Sequence, residues 1–173
     1  MFARHNKRKG FSLIELLIVV TIILIIAAIA IPNLLKSKMA ANESSAAGSI
    51  RTVNTAQVTY SSLFPQVGYS ATLGALGGPA VGCAPPALST VAQGCLIDEI
   101  LSGNSVPAFV KSGYRFGMGA GAVVGPPLVT YNVTATPVSL GTSGQNMFCS
   151  DESGVVRHDP TGAACTRASL PLQ

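Results

Sequence analysis

Charge is scarce in this chain. Only 10% of its 173 residues are Asp, Glu, Lys or Arg, against about a quarter in an ordinary soluble domain. Histidine is nearly missing as well: His158 is the only one beyond the first ten residues. With no C-x-x-C spacing either, the four cysteines do not read as a zinc site. No G-x-S-x-G or S-x-x-K run places a serine as a nucleophile, and no phosphate loop or dinucleotide fingerprint occurs. His158 and Asp159 are adjacent, but neighbours on a strand point to opposite faces, so they read as a solvated pair rather than an acid/base couple. Asp151 and Glu152 supply too few oxygen donors for a calcium loop and read as a turn. The sequence therefore predicts no enzyme, no metal site and no cofactor.

The few charges are also unevenly placed. Arg4, Lys7, Arg8 and Lys9 fall in the first ten positions, and the remaining seven basic residues are matched by seven acidic ones. The pI near 9.0 thus reflects a leader and not a basic face for nucleic acid. Eighteen Gly and eleven Pro argue against a helical bundle and for long irregular connections. Cys83, Cys95, Cys149 and Cys165 all lie in the second half, an even set that suits two disulfides in an oxidising compartment. Three pairings exist; Cys83–Cys95 with Cys149–Cys165 is favoured because each joins neighbours within one Gly/Pro-rich region.

What the chain has in excess is one apolar run. From Phe11 to Ile31 there are 21 residues, fourteen of them Leu, Ile or Val. As a helix this spans roughly 30 Å, the thickness of a bilayer core. Those aliphatic residues favour insertion by roughly 4 to 8 kcal/mol, more than the few kcal/mol one off-centre carboxyl costs. The segment therefore enters a membrane with Glu15 in place. The basic residues before it hold the N-terminus in the cytoplasm, which puts the cysteines outside. Two processing schemes compete. A secretory signal would be cut after Ala28-Ile29-Ala30 to leave a mature start at Ile31. A cut between Gly10 and Phe11 would instead keep the anchor. Gly10 suits that second cut because it lets a peptidase hold the backbone closely.

The stretch Lys9-Gly10-Phe11-Ser12-Leu13-Ile14-Glu15-Leu16 closely resembles the prepilin motif of type IV pilins and type II secretion pseudopilins. The resemblance implies cleavage after Gly10 by a membrane-embedded prepilin peptidase and methylation of the new amino group of Phe11. It also implies that Glu15 pairs with the Phe11 terminus of an adjacent subunit, and that Pro32 sits at the family's usual helix kink. An ionisable group in an apolar segment is by default a functional one, which agrees.

Past the membrane the helix should continue to about Phe64 with an apolar stripe of Ala46, Ile50, Val53, Tyr60 and Phe64, interrupted by Gln57. Pro65 closes it. Residues 65–112 read as a Gly/Pro-rich surface loop region with a short helix around Leu96 to Leu101. From 113 the period changes to two. Tyr114, Phe116 and Met118 alternate, as do Tyr131, Val133 and Ala135. Asn146 to Cys149 and Gly154 to Arg157 add two short strands around the turn Asp151-Glu152-Ser153-Gly154. The expected organisation is a cleaved basic leader at 1–10, a transmembrane and amphipathic helix at 11–64, the loop region at 65–112, and an antiparallel sheet with a disulfide-bounded C-terminal loop at 113–173. The fold class is α+β: a long helical spine packed on a small antiparallel sheet, as in type IV pilins.

By this resemblance the chain is a structural subunit of a type IV pilus used for motility (twitching), adhesion or DNA uptake. Its partners are further copies of itself, the inner membrane before assembly, the prepilin peptidase, assembly machinery with a cytoplasmic ATPase, and minor pilins. It would be an inner-membrane precursor and then an extracellular filament. A type II secretion pseudopilin is the near alternative; the absence of Trp and the four cysteines weigh toward a pilin. A membrane-anchored or secreted binding protein with an ordinary signal is the alternative from another class. Asn42-Glu43-Ser44 and Asn132-Val133-Thr134 match glycosylation sequons, which are common by chance.

Overall fold

The computed structural model describes residues 11–78, 83, 89–103, 109–120, 125–162 and 164–172. The leader, including Gly10, and the remaining parts of the loop region lie outside the described residues. The first helix, α1, runs Leu13–Leu63. The chain divides into two compact units, with the division after Ser37.

The first unit is helical and almost entirely exposed. Apart from half-buried Ala27, every described residue up to Ser37 presents its side chain outward. An 18-residue window of this helix has a mean hydropathy of 3.2, long and apolar enough to cross a membrane. The helical backbone passes through Pro32. Proline has no N–H, so the carbonyl of Ala28 loses its usual partner there.

The second unit holds the core. Residues 38–63 of α1 bury Ala46, Ala47, Ile50, Val53, Ala56 and Tyr60, spaced by one, three or four residues so that they share one side of the helix. They pack on a six-stranded antiparallel sheet: β1 (Val110–Lys111), β2 (Tyr114–Ala120), β3 (Tyr131–Pro137), β4 (Met147–Asp151), β5 (Arg157–Asp159) and β6 (Leu170–Pro171). The strands are ordered as in the chain. Phe116 lies opposite Ala135, Val133 opposite Ser150, and Phe148 opposite His158. Paired residues share a face, so Tyr114, Phe116, Val133, Ala135 and Phe148 form the apolar side against α1.

The expected four strands are thus joined by two more, β1 and β6, of two residues each. Such short edge strands leave little unpaired backbone to template another chain. Lys111 pairs with Tyr114 across a two-residue turn in which Ser112 and Gly113 both have positive φ (49° and 74°). That is the type I′ geometry that matches strand twist, and glycine accepts it without strain. The fourth expected strand begins later than its alternation suggests, at Arg157. Gly154, at φ 71°, belongs to the turn, where its N–H bonds the Asp151 carbonyl at 2.9 Å.

The loop region contains two four-residue helices, α2 (Leu73–Leu76) and α3 (Glu99–Ser102); α3 lies within three residues of the expected position. Thr72 caps α2 by accepting the Ala75 N–H, and Asp98 caps α3 by accepting the Leu101 N–H at 2.8 Å. Asp98 also pairs with Lys111 at 2.6 Å, joining α3 to β1. Backbone bonds from Gly94, Cys95 and Leu96 to the carbonyls of Ala75, Gly77 and Leu76 fold this region onto itself.

Candidate assembly segment and its anchors

The segment that the sequence singles out begins at Phe11, 80% exposed. Ser12 accepts the first helical bond at its carbonyl, from the Leu16 N–H, which makes it the N-cap of α1. Its own N–H donates to Glu15 Oε2 at 2.9 Å. This is the reach-back half of a capping box, in which the third helical residue covers an orphan donor of the cap. The S-x-x-E spacing of Ser12 and Glu15 was the available sequence signal for it. A carboxylate in the first helical turn also meets the positive end of the helix dipole. Glu15 is therefore held at the helix tip, in the outermost turn of an uncovered apolar surface. No other charged residue occurs from Phe11 to Leu35.

The second unit is tied to its helix by polar residues that periodicity could not assign. Gln57, fully buried, donates from Nε2 to the Ser70 carbonyl at 3.0 Å and accepts the Ser70 N–H at Oε1, 2.8 Å. The interruption of the apolar stripe is therefore a clamp on the chain leaving the helix. Asn54 donates to Ser150 Oγ at 2.8 Å and accepts from the Tyr131 hydroxyl at 3.0 Å. Burial first, then the charges of Tyr69 and Asp151, push that phenol up to about 12, so it stays a donor at any physiological pH. Asn42, the first residue of one sequon, donates to the Ser143 carbonyl at 2.8 Å, a structural use of that amide.

The disulfides join Cys83 to Cys95 and Cys149 to Cys165. The second fixes residues 164–172 beside β4, together with the pairing of β6 on β5 and the Leu172 N–H bond to the Val156 carbonyl at 2.8 Å. Closing a loop of that length stabilises by about 3 kcal/mol in the chain-entropy model. His158 faces α1 with Phe148, and Asp159 faces away with Met147, so the strand separates the two. Asp151 and Glu152 are engaged by Arg167, Asp151 at 2.9 Å from its Nε.

Residues 5–31 match the prokaryotic N-terminal methylation motif. Over 156 aligned positions the chain is 33% identical to the type IV major pilin protein PilA of Myxococcus xanthus, a match covering 83% of this chain and 66% of that relative. Both likenesses are to the type IV pilin family. Over 35 residues it is also 63% identical to the type IV wide pilus major component PilA4 of Thermus thermophilus, covering 20% of this chain and 27% of that protein. The chain thus spans just under two thirds of the length of the first pilin and about a quarter of the second. No solved structure matches significantly. The family is a structural, non-enzymatic one.

Glu43 ties α1 to the residues just before β4. Its Oε1 accepts the N–H groups of Gln145 (2.7 Å) and Asn146 (3.0 Å), and Oε2 accepts the Asn146 side-chain amide at 2.8 Å. Burial alone would raise the carboxyl, but these bonds and the nearby His158 outweigh it, and Glu43 lies below the ordinary glutamate value. A carboxyl depressed in the folded state contributes stability that is complete above the unfolded pKa and is lost as pH falls through the folded one. Thermal stability should therefore decline as pH is lowered from 5 toward 3. Glu43→Gln should be less stable at pH 7 and show a shallower decline; equal slopes for both proteins would assign the acid sensitivity to other carboxylates, such as Asp98 and Asp151.

Proposed function

We propose that this chain is a type IV pilin, cut after Gly10 by a prepilin peptidase and polymerised into a surface filament through residues 11–31. The observation that carries the reading is an uncovered aliphatic helix, of membrane length, whose tip holds a single carboxylate. Buried in a bundle of like helices, such a surface forms a continuous apolar core, and the lone charge must then find a cation or lose its proton. The amino group of Phe11, freed by the cut, is the cation at the right place. A charge pair in an apolar setting fixes register more than it stabilises, which suits a docking step. Pro32 relieves the helix where neighbouring subunits can cover the freed carbonyl. Before assembly the precursor waits in the inner membrane with its cysteines outside. Extension draws on a cytoplasmic ATPase, and minor pilins join the filament.

The test is the intact mass and N-terminal sequence of material sheared from cells. A start at Phe11 carrying one methyl group is expected. A start at Ile31, or recovery only as a soluble protein, would mean that the apolar run is a discarded signal. Gly10→Val should leave uncut precursor in the membrane fraction; normal processing of that variant would remove Gly10 from the cleavage site.

A further inference from the structure

Although β1 is itself too short to template another chain, it leaves most of β2 uncovered. It pairs with Tyr114 and Arg115 alone, so the rest of the seven-residue β2 is an edge on that side. Backbone groups along a strand point alternately to its two flanks. The Gly113 carbonyl accepts the Val138 N–H on the β3 side, and the Phe116 N–H donates to the Phe109 carbonyl at 2.7 Å on the other. Gly117 and Gly119 therefore bond β3, while the Phe116 carbonyl and both backbone groups of Met118 point to the open edge. Among the described residues, none bonds those three groups.

The chain meets β2 only at Phe109, directly before β1. Its φ of 60° is a left-handed conformation in which a bulky side chain is a genuine outlier, and such outliers point to function. Its ring lies against Gly103, where a Cβ would overlap it. Beside the open groups is a cavity of about 310 Å³ lined by Thr72, Leu73, Phe109, Phe116, Gly117 and Met118. Gly117 has no side chain, so the wall it supplies is the backbone of the strand. Met118 shares the α1-facing side with Phe116, and a residue added opposite Met118 would share it too. The side chain of that added residue would enter the cavity.

Unpaired carbonyl and N–H groups at strand spacing are matched by another strand. A second copy of this chain fits poorly, because its own β2 edge carries the same rim of Leu73 and Phe109, and the two rims would meet. A single extended peptide has no rim. We propose that the open edge of β2 binds an extended peptide of a partner protein by strand addition, with one large apolar side chain of that peptide in the cavity beside Met118. The site uses no residue of the assembly segment, so it is tested without filaments.

Amide exchange on the full chain in dodecylphosphocholine gives the first result. In the protein alone the Met118 amide should exchange fast, while those of Gly117 and Gly119 are protected by β3. The probes are nine-residue peptides with lysine at each end and threonine alternating with valine between, so that valine occupies one face. The central residue, on the valine face, is leucine, phenylalanine or aspartate. The leucine or the phenylalanine peptide should bind by fluorescence anisotropy and slow exchange at Met118. Aspartate at the centre should bind more weakly. Methylating the amides of the valine-face residues, which would bond Phe116 and Met118, should weaken binding about tenfold, the loss of one or two hydrogen bonds. Methylating the threonine-face amides should not. Met118→Pro removes the edge N–H without touching the β3 ladder and should weaken binding similarly; its unfolding midpoint reports whether the fold is kept, and the methylated peptides carry the test if it is not. The proposal is overturned if no peptide binds, if aspartate binds as well as leucine and phenylalanine, if valine-face methylation changes nothing, or if Met118 is already protected in the dilute free protein. Protection of Met118 that grows with protein concentration, without peptide, would overturn it in favour of a second copy.

Discussion

Replacing Glu15 by valine is expected to abolish filament formation while leaving the protein in the membrane. The two halves of that expectation have different causes. Removing a carboxyl from an apolar segment makes insertion easier, by up to about 3 kcal/mol on insertion scales, so anchoring cannot be what fails. What is lost is the only charged side chain between Phe11 and Leu35, and with it the partner proposed for a neighbour's amino group. Glu15→Gln separates the two roles that the structure allows. Glutamine still accepts the Ser12 N–H and so keeps the cap, but it carries no charge. If the charge pair sets docking, both variants give no filaments by electron microscopy, and both stay in the membrane fraction. Normal filaments from the valine variant would sink the charge-pair mechanism. Filaments from glutamine but not valine would assign the role to the helix cap instead.

The second large effect should come from Gln57. Its side chain satisfies both the N–H and the carbonyl of Ser70, a residue that is itself buried. Gln57→Leu nearly conserves volume and improves the apolar stripe, so an argument from hydrophobicity alone predicts a gain. The structure predicts the reverse. Two buried backbone groups would be left without partners, at about 1–3 kcal/mol each. A net loss of roughly 2–5 kcal/mol is expected, measured by denaturant unfolding of the full chain in detergent. Amide exchange at Ser70 should quicken as well. An unchanged midpoint would mean that the chain after Val67 is held by its other bonds, such as the Tyr69 N–H to the Leu128 carbonyl at 2.8 Å.

That contrast also explains what could be read from the sequence. The helix, its buried stripe and the two long strands announce themselves through periodicity, because their burial repeats every three to four residues or every two. Ala46, Ile50, Val53 and Tyr60 were legible for that reason, as were Tyr114, Phe116, Tyr131, Val133 and Ala135. Strands β1 and β6 have two residues each and helices α2 and α3 four, too few for any period to show. The polar anchors were illegible for a different reason. Glu43 bonds residues 102 and 103 positions away, and Asn54 bonds Ser150 at a separation of 96. Nothing local marks those partners, and a polar residue inside an apolar stripe looks like a defect until its partner is seen. At the helix start the Ser12 and Glu15 spacing carried two meanings at once, a capping signal and a motif residue. The motif was the more conspicuous of the two.

The strand order has a consequence for how the molecule comes together in time. Every strand pairs with its neighbour in the chain, so the sheet can grow hairpin by hairpin at small loop-closure cost. The helix cannot join in this way. Its bonds from Glu43 and Asn54 reach β4 and the residues just before it, made about a hundred residues later, and non-local contacts of that kind slow folding. Between synthesis of Tyr60 and completion of β4, the apolar stripe has no complete sheet to rest on. A nascent chain is therefore most open to wrong partners, including the same stripe on another copy, in the interval before its last third is made.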